Sequence, residues 1–200
     1  YTQMLNSDSG TESDLTITRL GEEEFMVVTS PTSHNKDFYW IKNNSTEYAD
    51  LQIDDVTEKF GCLSIMGPKS RNLLQRITDE DVSNNTFPFG HSIKANILNA
   101  ECQINRITYV GELGYEIYIP MGDMQGVFDL IYCEGKKYNL LLAGYHALNS
   151  LRMEKGYLHW GHDITIEEDP YEAGVGFCVN LKKPKKFLGQ EKLEEKLKKG

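Results

Sequence analysis

The stretch Tyr109 to Pro120 reads YVGELGYEIYIP. Apolar and aromatic residues recur at alternate positions from Tyr115 to Ile119, which is the period of a strand that buries one face. Into this pattern is set a carboxylate, Glu116, between the bulky residues Tyr115 and Ile117. If GELG (Gly111 to Gly114) forms a four-residue loop, Val110 pairs with Tyr115 and Tyr109 faces Glu116, with Cβ atoms ~5 Å apart. One face then collects Val110, Tyr115, Ile117 and Ile119 and belongs to the core, while the other gathers Tyr109, Glu116 and Tyr118. A carboxylate framed by phenols can accept two parallel hydrogen bonds from the N–H/NH2 edge of a flat heterocycle such as a pterin or guanine, with the rings supplying stacking area. Alternation alone equally admits an ordinary glutamate on a solvent-facing strand side.

On either side of that hairpin the chain mixes the two periodicities. DLTITRL (Asp14 to Leu20) alternates and EEFMVVTS (Glu23 to Ser30) follows a turn at Gly21, so the pair is expected to form a β-hairpin. A helix is expected around Asp37 to Lys42, and FGCLSIMG (Phe60 to Gly67) reads as a buried strand. Pro68 stands where the next helix begins, with Leu73, Leu74 and Ile77 as its apolar stripe. Strands are expected at His91 to Leu98 and Ile104 to Val110, and helical spacing returns over Met121 to Asn139 and Ala143 to Tyr157, where Gly156 can stop the helix. The fold class that follows is α+β, mostly antiparallel strands with packed helices. Its core is expected in residues 1–120, incomplete at the N-terminal side, with residues 121–200 as a helical continuation and C-terminal lobe. The lysine-rich end from Lys182 reads as an exposed turn and a charged helix with a solvated face.

Composition narrows the function classes. Two hundred residues with 40% hydrophobic content suffice for one sizeable core. With 21 Lys and Arg against 30 Asp and Glu the net charge is -9, which disfavours nucleic acid and anionic membranes as partners. Cys62, Cys102, Cys133 and Cys178 stand far apart, without zinc spacing, and are expected as reduced, mostly buried thiols of a soluble intracellular protein. His159, His162 and Asp163 spell HxxH beside an aspartate, a weak metal signal whose ordinary meaning is structural, so no metal is expected; Trp160 is expected to pack against the core. The Asn-x-Ser/Thr sequons at Asn43, Asn44 and Asn84 are treated as accidental. The opening YTQMLNSDSG lacks an initiator methionine and suggests a piece of a longer or processed polypeptide.

YVGELGYEIYIP, AGYHALNSLRMEKGYLHWGHDI, EDPYEAGVGF and KKPKKFLGQEKL, taken in order, cover about half of the chain. Together they resemble the tetrahydrofolate-binding domain of the glycine-cleavage aminomethyltransferase (T-protein) family, in the form fused to flavin-dependent sarcosine and dimethylglycine dehydrogenases. RMEKGYLHWGHDI is similar to the sarcosine dehydrogenase wording, and Leu148 stands where T-proteins usually carry an arginine. The resemblance implies the T-protein-like folate-binding fold, Glu116 as the pterin-binding glutamate and Tyr109 as the tyrosine seven residues before it. It also implies Asp14 as the acidic residue that contacts the reactive part of the folate, although Ser9 and Thr11 replace a glycine and an isoleucine of that motif.

The activity implied is one-carbon transfer. An upstream flavin domain would oxidise an N-methyl amine, sarcosine before dimethylglycine, to an iminium, and this domain would hold tetrahydrofolate to trap the one-carbon unit as the methylene derivative. FAD would bind only upstream, since no Gly-x-Gly-x-x-Gly fingerprint occurs here. Asp14 could stabilise the cation and accept a proton, and Arg152 could pair with the glutamate tail of the folate or, alternatively, bond Glu154 or a nearby carbonyl. Location in the mitochondrial matrix goes with the same resemblance. Two rivals remain: a binding domain related to the regulatory subunit of pyruvate dehydrogenase phosphatase, which retention of Asp14, Tyr109 and Glu116 disfavours, and a free-standing aminomethyltransferase, which Leu148 disfavours.

Overall fold

The alternation around Asp14 does build a hairpin. In the computed structural model, which describes residues 1–199, Thr11–Arg19 (β2) pairs antiparallel with Phe25–Val28 (β3). The turn between them is closed by the amides of Leu20 and Gly21 on the Glu24 carbonyl. Thr2–Leu5 (β1), too short to show a period, adds on the other side of β2 and completes a three-stranded sheet.

His34–Asn43 (α1) contains the expected helix around Asp37 to Lys42, but its anchor is polar. Asp37 is fully buried, and its Oδ2 accepts the hydroxyls of Ser13 on β2 at 2.8 Å, Ser33 at 2.6 Å and Thr29 after β3. The Lys36 ammonium lies 3.5 Å from the other oxygen, Oδ1. A single carboxylate thus joins the helix start to both strands of the hairpin, and hydroxyl donors satisfy a charge whose burial would otherwise be costly.

A second sheet holds Phe60–Met66 (β4), Ser92–Ile97 (β5), Ala100–Asn105 (β6) and Gly114–Pro120 (β7), all antiparallel, in the order β4-β7-β6-β5. Strand alternation places Leu63 and Ile65, Ala95 and Ile97, Cys102 and Ile104, and Tyr115, Ile117 and Ile119 on one face. Ser70–Ile77 (α2) and Met124–Gly135 (α3) bring Leu73, Leu74, Ile77, Val127 and Ile131 into the same core. The stripe expected after Pro68 is the buried face of α2. Tyr115 is fully buried, lies 5.7 Å from the Phe87 ring and accepts a hydrogen bond from Arg71 Nε at 3.1 Å.

Tyr145–Glu154 (α4) forms within the expected segment. It ends at Gly156, whose φ of +71° is a left-handed conformation that a glycine adopts without a Cβ clash. Gln190–Lys199 (α5) is the expected charged helix, held by Leu193, which is fully buried. Among the described residues no helix is long and apolar enough to cross a membrane.

The described chain divides into two compact units, residues 1–54 with 158–200 and residues 55–157. This corrects the expected division at residue 120. Pro120 ends β7 and the chain continues directly into α3, which packs on the sheet containing β7, so a boundary there would cut through one core.

Candidate functional site

The register of the four-stranded sheet decides which side chains share the face turned away from its core. Glu116 on β7 lies opposite Ser64 on β4 and Asn105 on β6, and Asn105 lies opposite Ser92 on β5. Two residues along, Tyr118 lies opposite Cys62 and Gln103, and Gln103 opposite Lys94. Two adjacent polar rows therefore cross the sheet back to back with the apolar core. Directly opposed side chains in such rows are within contact range.

The Tyr118 hydroxyl donates to Glu116 Oε2 at 2.5 Å. Tyr118 is buried and Glu116 half-buried. Burial pushes the Glu116 carboxyl above its ordinary 4.5, while the bond from Tyr118 opposes the shift. The Tyr118 phenol is driven far up by burial first and by the neighbouring carboxylate second, so it remains a donor. On the next strand, Gln103 Nε2 donates to Ser92 Oγ at 2.5 Å and to the Ile93 carbonyl at 3.1 Å. Ser92 Oγ in turn bonds Asn105 Oδ1. Gln103, Asn105 and Ser92 were not singled out from sequence. They occupy alternate polar positions on their strands, a signal that becomes specific only once the register to Glu116 is known.

Tyr109 is placed differently from the expectation. The predicted strand to Val110 ends at Asn105, and Glu116 faces Asn105, so Tyr109 does not pair with Glu116 nor Val110 with Tyr115. The connection runs from 106 to 113 because both of its ends are pinned elsewhere. Arg106 exchanges backbone bonds with Gly90 and His91 and donates to the Phe87 carbonyl at 2.6 Å. The Leu113 carbonyl accepts from the Gly67 amide at 2.8 Å and from Ser70 Oγ at 3.0 Å. Val110 is buried and Tyr109 half-buried in this loop. Glu112 in the same loop meets Lys155, just past α4, at 3.4 Å.

Gly111 makes that arrangement possible, since its φ is +68° and a Cβ there would come within 2.3 Å of Lys155 Cγ. Gly111→Ala is expected to cost about 1–2 kcal/mol of stability through backbone strain and displacement of Lys155. Equal chemical-denaturation midpoints for the variant and the parent would contradict this.

Arg152, on α4, is buried and donates to Asn149 Oδ1 at 2.7 and 2.9 Å and to the Tyr157 carbonyl at 2.9 Å. The alternative of a bond to a nearby carbonyl is therefore present. The guanidinium fixes the chain as it leaves α4 around Gly156.

Asp14 belongs to the other unit, on β2 opposite Gln3. The Tyr1 hydroxyl donates to its Oδ2 at 3.4 Å. Burial raises the Asp14 carboxyl above its ordinary 3.8, aided by the Asp37 charge and opposed by the Tyr1 bond, a backbone bond and His159. Ser9 has a φ of +70°, the left-handed region in which glycine is unstrained, so the departure from the glycine of the resembled motif leaves the turn intact. In the same unit Trp160 Nε1 donates to the Thr11 carbonyl at 2.8 Å beneath the Lys36 ammonium, 3.9 Å from the ring. The HxxH segment is a turn: Asp163 accepts from the His159 amide at 2.8 Å and contacts His162 Nδ1 at 2.9 Å.

Residues 1–183 match the model of the GCVT N-terminal domain. The chain belongs to this family. This GCVT N-terminal domain is 43% identical over 194 residues to the 4-methylaminobutanoate oxidase (formaldehyde-forming) of Paenarthrobacter nicotinovorans, covering 96% of the chain and 23% of that protein. It is 36% identical to the mitochondrial sarcosine dehydrogenase of Homo sapiens, over 98% of the chain and 23% of the relative. With the aminomethyltransferase of Bacillus subtilis (strain 168) it shares 35% identity, over 100% of the chain and 54% of the relative. The crystal structure of glycine cleavage system aminomethyltransferase T from Bartonella henselae superposes with a TM-score of 0.81 at 25% identity, over 99% of this chain and 52% of that one. The expected α+β fold of the T-protein type is thus the observed one. The chain spans about a quarter of the length of the oxidase and dehydrogenase and about half of the aminomethyltransferases. It carries an aminomethyltransferase-type domain shared by sarcosine and dimethylglycine dehydrogenases and by the aminomethyltransferases themselves.

Proposed function

We propose that this domain binds tetrahydrofolate within an enzyme that oxidises N-methyl amines, and takes up the one-carbon unit that the oxidation releases. The observation that carries this reading is the half-dry Glu116 carboxylate, held by Tyr118 on a polar sheet face. Such a carboxylate matches the donor edge of a reduced pterin, whose N–H and NH2 groups can form two parallel charge-assisted bonds to it. The donor set fits the ligand: an acceptor pair at Glu116, with the Tyr118 phenol and the Gln103 and Asn105 amides in adjacent rows. Tyr109 contributes an aromatic ring from the 106–113 loop, and Arg152 supports the segment after α4 in the second unit.

Bound tetrahydrofolate would supply the amine that captures a one-carbon electrophile. Asp14 is assigned the proton released as the N–C bond forms, and its raised carboxyl suits a group that must bind and return a proton. The electrophile is the iminium made by a flavin domain elsewhere in the same polypeptide. Identity to proteins named for 4-methylaminobutanoate and for sarcosine points to N-methyl amino acids as the substrate class.

Asp14→Asn in the intact protein is expected to leave tetrahydrofolate affinity near normal while reducing folate-dependent one-carbon capture by at least about tenfold, the scale of a lost general base. Capture at the parental rate would remove Asp14 from the reaction.

A further inference from the structure

The strand that carries Asp14 is interrupted just before it. Between β1 and β2, Met4 lies opposite Ser13 and Leu5 opposite Thr11, so Glu12 is one residue more than β1 can pair. β3 offers it no partner either, since that ladder begins at Thr16. Such a bulge bends its strand and re-aims the side chains beside it, and the ladder bonds that would fix the bend are the ones it lacks. The bend is held from outside the sheet. The Lys36 ammonium, on α1, donates to the Glu12 carbonyl and lies 3.7 Å from the Glu12 carboxylate. Trp160 Nε1 donates to the Thr11 carbonyl at 2.8 Å, and the Thr11 amide donates to the Glu168 carbonyl at 3.0 Å. Lys36 and Trp160 also hold each other, with the ammonium 3.9 Å from the ring centre. All of these residues belong to the unit that contains Asp14.

Asp14 follows the bulge by two residues, on the same alternating, half-buried side of β2 as Glu12. The Tyr1 hydroxyl reaches its Oδ2 at 3.4 Å, long for such a bond, so the direction of the carboxyl is set mainly by the backbone that carries it. The ion pair of Lys36 with Glu12 is partly exposed and of a kind that contributes little to folding. The distinctive contact of Lys36 is its bond to the bulged carbonyl. We propose that Lys36, seated on Trp160, is a positioning residue: it fixes the bulge at Glu12 and, through it, the aim of the Asp14 carboxyl at the folate amine. This rests on the assignment of Asp14 to the proton transfer and adds to it the group that places Asp14.

The test uses the intact protein with tetrahydrofolate and two N-methyl amines, sarcosine and 4-methylaminobutanoate. It compares the parent with Lys36→Met, Lys36→Arg, Asp14→Asn and the double variant of Asp14→Asn with Lys36→Met. Methionine keeps an apolar stem on Trp160 but has no donor for the Glu12 carbonyl, whereas arginine keeps the charge, the donors and the stacking. Lys36→Met is expected to bind tetrahydrofolate within about twofold of the parent and to capture the one-carbon unit about threefold to tenfold more slowly at saturating folate, because a misplaced reacting group costs rate. Lys36→Arg is expected to recover most of that loss. In the double variant the loss of Lys36 is expected to add nothing to the loss of Asp14, since Lys36 acts through that carboxyl. Parental capture by folded Lys36→Met, or an undiminished effect of Lys36→Met in the Asp14→Asn background, would overturn the proposal while leaving Asp14 in its role. A slower capture matched by an equal loss of folate affinity would overturn it too, by making Lys36 a support of the fold. If Lys36→Met fails to fold, Trp160→Phe, which keeps a ring beneath the ammonium and removes the bond to Thr11, is read by the same criteria. Parental capture by Asp14→Asn, or no capture by the parent with either amine, would remove the assignment of Asp14 and this inference with it.

Discussion

Asp37→Ala should destabilise the protein by about 3–4 kcal/mol, because three hydroxyls, two of them buried, lose their common acceptor at once. Ser13, Thr29 and Ser33 come from β2, the segment after β3 and the start of α1, and each donates to Asp37 Oδ2. All three have fallback partners at poorer distances, Ser13 on the Asp14 carbonyl at 3.4 Å, Ser33 on the Ser30 carbonyl at 3.3 Å and Thr29 on the Ser13 and Ser33 hydroxyls at 3.4 and 3.3 Å, which limits the loss. Lys36 gives up one of its carboxylate neighbours but keeps Glu12 at 3.7 Å. Asp37→Asn retains an acceptor oxygen and is expected to cost roughly half as much. Urea denaturation of the three proteins checks the order. Asp37→Ala as stable as the parent would mean that the carboxylate does not tie α1 to the hairpin. Since Ser13 precedes Asp14, the same variant is expected to disturb Asp14 as well.

Glu116→Gln has the opposite effect on the fold at neutral pH. Burial raises the Glu116 carboxyl above 4.5, so the native state binds this proton more tightly than the unfolded chain does. The stability gained from that proton is fully present below 4.5 and is lost as pH rises through the native value, which leaves a desolvation cost at neutral pH. Glutamine removes the charge and keeps an oxygen for the Tyr118 hydroxyl. The variant is therefore expected to melt higher than the parent at neutral pH, with the difference shrinking as pH falls toward 4.5. Asp14 and the other carboxyls are common to both proteins and cancel in this difference. A difference that is constant with pH would show that Glu116 is solvated like any surface carboxylate. A site that is more stable without its charge retains that charge for binding rather than for folding.

Much of this arrangement was legible in the sequence, and the parts that were not have physical reasons. Alternation identified the buried face of β7, because Tyr115, Ile117 and Ile119 obey a period of two whatever their partners are. It therefore also placed Glu116 and Tyr118 on the opposite face. Register is not carried by alternation, and the turn between β6 and β7 could not be read from GELG alone. The Arg106 and Leu113 contacts that lengthen the connection come from residues 87–91 and 67–70, distant in sequence. A four-residue loop sets Tyr109 across from Glu116, the place that Asn105 occupies in the observed register. Asp37 escaped notice for a related reason: a lone aspartate in a helix's first turn looks like ordinary helix chemistry until strands from elsewhere deliver hydroxyls to it. Residues 158–200 group with 1–54, a long-range association with no local composition signal.

The central claim is that Glu116 receives the pterin edge of a reduced folate. Its most direct test is calorimetric titration of the intact protein with tetrahydrofolate, parent against Glu116→Gln, at neutral pH. A loss of roughly 1.5–3 kcal/mol in binding, the worth of charge-assisted hydrogen bonds, is the expected result. Equal affinities for the two proteins would contradict it.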